Sequence, residues 1–172
     1  MPRKRSRLLV AGMLLCLLGG FNWSVLRQEQ LRRGGAEVLL ELAPRDPRAL
    51  LLGDYMELRY LLQQDVADAL EQTRRNDMPS DIMVILLVRA DNTAVFARLD
   101  DGAPLAENEL RLRCRLRNFG VRVAAKAFYF QEGHAALYEK ARYGELRVGE
   151  DGASLLVFLR DASLQRILPR DY

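Results

Sequence analysis

The string Gly53-Asp54-Tyr55-Met56-Glu57-Leu58-Arg59-Tyr60 places an acid, a glycine and two phenols at a spacing that chemistry can use. In extended backbone alternate residues share a face. Asp54, Met56, Leu58 and Tyr60 therefore fall together, and Tyr55, Glu57 and Arg59 fall on the other side. Read as chemistry, Asp54 is an acid or ligand with the Tyr60 hydroxyl beside it. Read as structure, Gly53 permits a sharp turn, Asp54 accepts hydrogen bonds from turn amides and Tyr60 packs. No second carboxylate and no His stands at motif spacing, which favours the structural reading.

A second pattern is Leu-Arg-Leu-Arg-Cys-Arg-Leu-Arg at residues 110–117. As a strand it sets Arg111, Arg113, Arg115 and Arg117 on one face, and Leu110, Leu112, Cys114 and Leu116 on the other. The four arginines are a candidate strip for anionic headgroups or an acidic partner, each basic residue near such a surface being worth about 1 kcal/mol. The structural alternative pairs them with acids on neighbouring strands, and that alternative is favoured. Cys114, between two arginines, would be a reactive thiolate if exposed; the alternation buries it instead. His134 shares a helical face with Leu137, Tyr138 and Ala141. It is the chain's single His, and the two Cys cannot complete a metal set. Ser80, Ser154 and Ser163, with Lys126 and Lys140, are the raw material of a serine–lysine hydrolase, but none sits in a nucleophile motif. No catalytic residue, cofactor site or metal ligand is assigned, and no cofactor is expected.

Composition narrows the classes. The chain has 172 residues, of which 49% are hydrophobic and 28% charged, which suits one folded domain rather than disorder or two full domains. The formal charge of +3 is misleading, because Arg3, Lys4, Arg5 and Arg7 precede an apolar run. Without those four, 26 − 4 = 22 basic residues face 23 acidic ones. A nucleic-acid binder holds its excess in the folded domain, so no nucleic-acid partner is expected.

The elements that must position these residues begin with Leu8–Leu26, 19 residues without a charge. As a helix the run spans about 28 Å, close to the ~30 Å hydrocarbon core. Trp23 suits the headgroup level, and the basic cluster before Leu8 favours a cytoplasmic N-terminus. The stretch after the run offers no Ala-x-Ala cleavage site, so residues 8–26 read as an uncleaved anchor in the lipid bilayer. The organisation expected is a basic N-terminus and transmembrane anchor over 1–26, a polar spacer over 27–36 and an extracytoplasmic β-rich domain over 37–172. Strands are expected at 37–43, 50–62, 82–89, 94–99, 110–117, 121–130, 145–148 and 153–160, with a last edge strand at 164–168. Gly149-Glu150-Asp151-Gly152 is a hairpin signal. Short helices are expected at 65–75 and 132–143, the second stopped by Gly144. The fold class is mostly β: an antiparallel sandwich or barrel-like domain with two short helices behind one transmembrane helix.

The approach Pro44-Arg45-Asp46-Pro47-Arg48, Leu50 and Gly53-Asp54-Tyr55-x-x-Leu58-x-Tyr60 together resemble the GDYXXLXY family of membrane-anchored bacterial proteins. A second block agrees: Tyr129-Phe130, Glu132-Gly133, Tyr138-Glu139, Tyr143-Gly144-Glu145 and Arg147-Val148. The resemblance covers roughly residues 37–161. It implies no established activity and carries over no catalytic residues; it does imply a neighbouring multi-pass membrane protein as a partner to look for. The expected role is a non-catalytic domain at the cell (inner) membrane, single-pass with its C-terminal domain outside the cytoplasm, that binds or supports a membrane-protein partner. The alternative is a membrane-tethered serine/lysine hydrolase, since the layout of anchor, β-rich domain and Gly-Asp opening resembles signal peptidases.

Overall fold

A computed structural model of the chain describes residues 2–44, 55–73, 79–117 and 120–169, with side chains from Gly12 onward. Among the described residues a helix, α1 (Pro2–Gly34), leads into nine strands: β1 (Ala36–Glu41), β2 (Tyr55–Glu57), β3 (Asp81–Val88), β4 (Thr93–Leu99), β5 (Glu109–Arg117), β6 (Gly120–Arg122), β7 (Ala127–Tyr129), β8 (Tyr143–Val148) and β9 (Ser154–Arg160). Two further helices among the described residues are α2 (Leu62–Thr73) and α3 (Ala135–Tyr138).

The 27–36 stretch is helical as far as Gly34, where α1 ends. Arg, Gln, Glu and Leu are good helix formers, and Glu29 binds Arg33 one turn on at 2.6 Å. Polarity alone does not end a helix; the Gly34-Gly35 pair does. Among the described residues no helix is long and apolar enough to cross a membrane. The side chains of Leu8–Ala11 fall outside that set, leaving 26 − 11 = 15 residues of the 19-residue apolar run within it.

Seven strands form one sheet in the order β6-β5-β3-β4-β1-β8-β9, and β2 and β7 form a separate ribbon. This is a curled single sheet, a half-barrel, and not a sandwich. Nor is it wholly antiparallel: β1 runs parallel to β4 through Leu39↔Thr93 and Leu40↔Ala94. A parallel neighbour needs a long crossover, and the passage containing α2 supplies it. Val38, Leu39 and Leu40 of β1, and Val84, Ile85 and Leu86 of β3, are consecutive buried residues. Both faces of the sheet are therefore covered at these two strands, as the unbroken apolar run at 82–89 implied. In α2 the buried residues Leu62, Val66 and Leu70 recur every four positions, a helical stripe against the sheet.

The 121–130 stretch is not one strand. It stays with β5 only to Arg122, bends, and resumes at Ala127 to pair with β2. The expected 132–143 helix is only the four residues of α3, because Tyr143 is already the first residue of β8. The last edge strand reduces to a single bridge, Arg160↔Arg166. The β8–β9 hairpin forms as expected, with Val148 opposite Ser154. Its tip reaches across the curl to the far strands, where Arg113 N donates to Gly152 O at 2.8 Å. Gly152 has φ +74°, and a Cβ there would lie 2.7 Å from Met83 Cε and 3.1 Å from Arg113 N, so the closure demands glycine twice over.

Met56, Leu58 and Tyr60 are buried in the core, while Tyr55, Glu57 and Arg59 are exposed, the alternation read from the motif. Gly53 and Asp54 lie outside the described residues. The Tyr60 ring lies on Gly144: a Cβ there would meet Tyr60 Cε1 at 3.1 Å and Leu156 Cδ1 at 3.2 Å. Tyr60→Ala should cost roughly 3–5 kcal/mol by analogy with aromatic truncations, and Gly144→Ala about 1–3 kcal/mol through overpacking. The two should be coupled, the glycine substitution costing much less once the ring is gone. Denaturant unfolding of the four proteins in the cycle measures this; additive costs would mean the ring does not need the glycine.

Cys114 is fully buried with Leu112, and burial pushes its thiol pKa up to about 12. A polar thiol reagent is expected to leave Cys114 unmodified in the native protein and to react on unfolding; rapid native labelling would place the β5 faces the other way round.

Candidate functional site

Two constellations of charge stand out. The first is built on Glu145, a carboxylate with no solvent exposure in the middle of β8. Arg166 grips it with both arms of its guanidinium, Nε to Oε2 at 2.8 Å and Nη2 to Oε1 at 2.6 Å. Arg160 Nε donates to Oε2 at 2.7 Å and its Nη2 to Glu37 at 2.8 Å. Arg147 joins Glu37 at 2.9 Å and approaches Glu145 at 3.7 Å. Arg166 also stacks over the Phe158 ring at 4.5 Å. Burial works to raise the Glu145 pKa, but the hydrogen bonds from Arg166 and Arg160 outweigh it and hold the carboxyl below its ordinary value. Every oxygen is answered, so the cluster has no open coordination for a substrate and reads as a structural clasp.

The pH dependence follows from that direction. A carboxyl depressed in the folded state stabilises the fold above its unfolded pKa of about 4.3, and that share is lost as pH falls through the folded value. Glu145→Gln leaves three arginines around a neutral amide, which should cost roughly 3–5 kcal/mol near neutrality. Its deficit relative to wild type should shrink as pH falls below about 4. Unfolding curves from pH 7 to pH 3 check this; a deficit independent of pH would mean the carboxylate charge is not what holds the cluster.

The second constellation lies where the sheet's two edges approach. A cleft of about 610 Å³ opens between the β5–β6 hairpin and the first residues of β9, with 123–126 as its third side. Arg113, Arg115, Arg117, Arg122 and Lys126 line it, together with Ser154–Leu156 across the gap. Arg115 and Arg122 stand directly opposite one another on paired strands, a like-charge juxtaposition that is unfavourable by itself. Some of this charge is answered at the rim: Arg115 by Asp81 at 3.4 Å, Arg113 by Asp151 at 3.8 Å and Lys126 by Glu57 at 3.5 Å. Among the described residues no carboxylate reaches Arg117 or Arg122 within 4.0 Å.

The motif segment builds the wall of this cleft. Leu58 N donates to Lys126 O at 2.7 Å, the Tyr60 hydroxyl donates to Ala125 O at 3.3 Å, and Gln63 Nε2 donates to Val121 O. The β2–β7 ribbon continues the strap, with Glu57 opposite Ala127 and Tyr55 opposite Tyr129. Burial pushes the Tyr60 pKa above its ordinary value, so this phenol donates one bond and is not a proton-transfer group near neutrality.

The arginine strip is thus divided. Arg111 turns to Asp100 at 2.9 Å and stays outside the cleft; Arg113, Arg115 and Arg117 line it. Arg122 and Lys126 were missed, although the Val121-x-Val123 alternation, folded back on 110–117, puts Arg122 beside Arg115. The Glu145 clasp was missed too; a glutamate inside the apolar strand Tyr-Gly-Glu-Leu-Arg-Val was its signal. His134 is half-buried at the start of α3 and makes no side-chain cap. Ser154 and Lys126 line the same cleft, Ser80 O accepts from Leu116 N, and Ser163 N is held by Asp161.

A family model, described as GDYXXLXY protein, matches residues 17–159. The chain belongs to the GDYXXLXY family. The match takes in both sequence blocks, and the structure joins them: Tyr60 of the first sits on Gly144 of the second. No curated protein and no solved structure matches the chain.

Proposed function

We propose that this GDYXXLXY chain is a non-catalytic, membrane-tethered binding domain. Residues 8–26 anchor it in the cell (inner) membrane with the N-terminus in the cytoplasm, and the β-rich domain binds or supports a membrane-protein partner outside. The observation that carries this reading is the unbroken helix. α1 continues from the apolar run straight to Gly34 and docks on the domain. Arg27, the residue after the run, pairs with Asp151 at the hairpin tip. Leu31 packs where a Cβ on Gly149 would meet its Cδ1 at 3.1 Å. A domain fixed to its helix in this way is held beside the bilayer at a set height, which suits contact with a membrane partner better than a loose linker would.

A hydrolase is the second reading, and the sharing of one cleft by Ser154 and Lys126 is the observation in its favour. Against it, the Lys126 ammonium is two-thirds exposed and faces Glu57 at 3.5 Å, whereas a serine-activating lysine must be desolvated to become a base.

A reporter that works only outside the cytoplasm, fused after Tyr172, should be active, and a cytoplasm-only reporter at the same place should be silent. The reverse pattern overturns the topology. Detergent extraction followed by affinity capture should bring down a multi-pass protein with the full chain, and a serine-reactive fluorophosphonate should leave Ser154 unlabelled. Labelling abolished by Lys126→Ala would instead support the hydrolase.

A further inference from the structure

The seam cleft concentrates basic charge that is only partly paired among the described residues. Arg117 and Arg122 have no carboxylate within 4.0 Å among the described residues, and Arg115 is set opposite Arg122 across the ladder. Guanidinium groups present planar forks that match phosphate oxygens two at a time, so a bound phosphate would turn this repulsion into shared attraction.

The position of the cleft says which phosphate. Arg113, at one end of it, donates through Nη2 to Asp151 O at 2.9 Å. The same Asp151 carries the ion pair to Arg27, and Arg27 follows the last residue of the apolar run. One aspartate therefore links the cleft to the point where the helix would leave the hydrocarbon. The link is made of two direct contacts, Arg113 to Asp151 and Asp151 to Arg27, and a charged bilayer surface acts on basic groups over a Debye length of ~8 Å at physiological salt.

We infer that the seam cleft is a lipid-headgroup site: Arg113, Arg115, Arg117, Arg122 and Lys126 take the phosphate of an anionic phospholipid from the membrane in which α1 is anchored. This rests on the tether reading above. It adds a lipid ligand to that reading, and it gives the hairpin closure between Gly152 and Arg113 a role, since the closure ties the Arg113 end of the cleft to the helix through Asp151.

The test uses the full chain in nanodiscs of phosphatidylcholine alone or of phosphatidylcholine with phosphatidylglycerol, treated with phenylglyoxal and read arginine by arginine by mass spectrometry. The expected result is that phosphatidylglycerol slows modification of Arg115, Arg117 and Arg122 severalfold and leaves Arg89 and Arg142 unchanged. Arg117→Gln and Arg122→Gln should each weaken retention of phosphatidylglycerol in native mass spectrometry by roughly fivefold, with unfolding midpoints as in wild type. Equal modification in both discs overturns the inference while leaving the tether intact, whereas failure of the chain to enter either disc overturns the tether reading itself. Protection by inorganic phosphate alone in phosphatidylcholine discs would assign the cleft to a soluble anion. Protection that appears only when a captured protein partner is added would assign it to that partner. Either result overturns the headgroup site.

Discussion

A carboxylate sealed from water inside a sheet is the constraint around which one half of this domain is arranged. Glu145 has no exposed surface, and an ionised group in that position is tolerable only if its oxygens are fully answered. The answers come from three places in the sequence: Arg147 on its own strand, Arg160 on β9, and Arg166 in the segment that returns beyond β9. Glu37 of β1 balances the surplus of guanidinium charge. The strand order β1-β8-β9 and the path of the C-terminal segment over β9 are therefore fixed by one charge as much as by apolar burial. A sheet edge held in this way is specific, because a register slip of one residue would put Glu145 on the apolar face.

The neighbouring residue fastens the other face. Gly144 offers the flat seat on which the Tyr60 ring lies, so the dipeptide Gly144-Glu145 binds an ionic clasp on one side of the sheet and the motif tyrosine on the other. From that seat the influence runs on to the cleft. The motif segment holds the carbonyls of Val121, Ala125 and Lys126, and these residues form or adjoin its wall. Tyr60 is not among the residues that line the cleft, yet its hydroxyl holds Ala125 in the cleft wall. Such a residue acts by positioning, and its loss would be felt at the cleft as disorder rather than as a missing contact.

How much of this was legible in the sequence depended on the range of the interaction. The apolar run at 82–89, buried on both faces through 84–86, the Arg/Leu alternation at 110–117, the hairpin at 149–152 and the buried face of the motif all follow from local periodicity, and each is seen in the fold. What periodicity could not carry was pairing at a distance. The parallel contact of β1 with β4 depends on a crossover whose return point no local pattern marks. The 121–130 stretch looks like one strand because its alternation survives a bend imposed from outside by Leu58, Tyr60 and Gln63. Helix α1 continued through 27–34 because side chains that look like linker are also good helix formers. Three of the five basic residues of the cleft were read from 110–117; the other two, Arg122 and Lys126, are brought in by tertiary structure. Asp54, the residue with the most chemical promise in the motif, lies outside the described residues.

Net charge was a partial guide: Arg111, Arg113 and Arg115 of the strip each find an acid. Twenty-two basic and 23 acidic residues after the N-terminal cluster suggest that every arginine can find an acid. The sum is nearly zero, but the distribution is not uniform. Glu145 and Glu37 draw three arginines into the clasp; Asp100, Asp101 and Glu109 hold Arg98 and Arg111 at the start of β5. Acids paired in those places are not at the seam. Pairing energy between exposed charges falls off within a Debye length, so a surplus acid elsewhere on the domain does nothing for Arg117 or Arg122. A near-neutral domain can therefore keep a strongly basic cleft, and what decides it is the local count within a few ångströms.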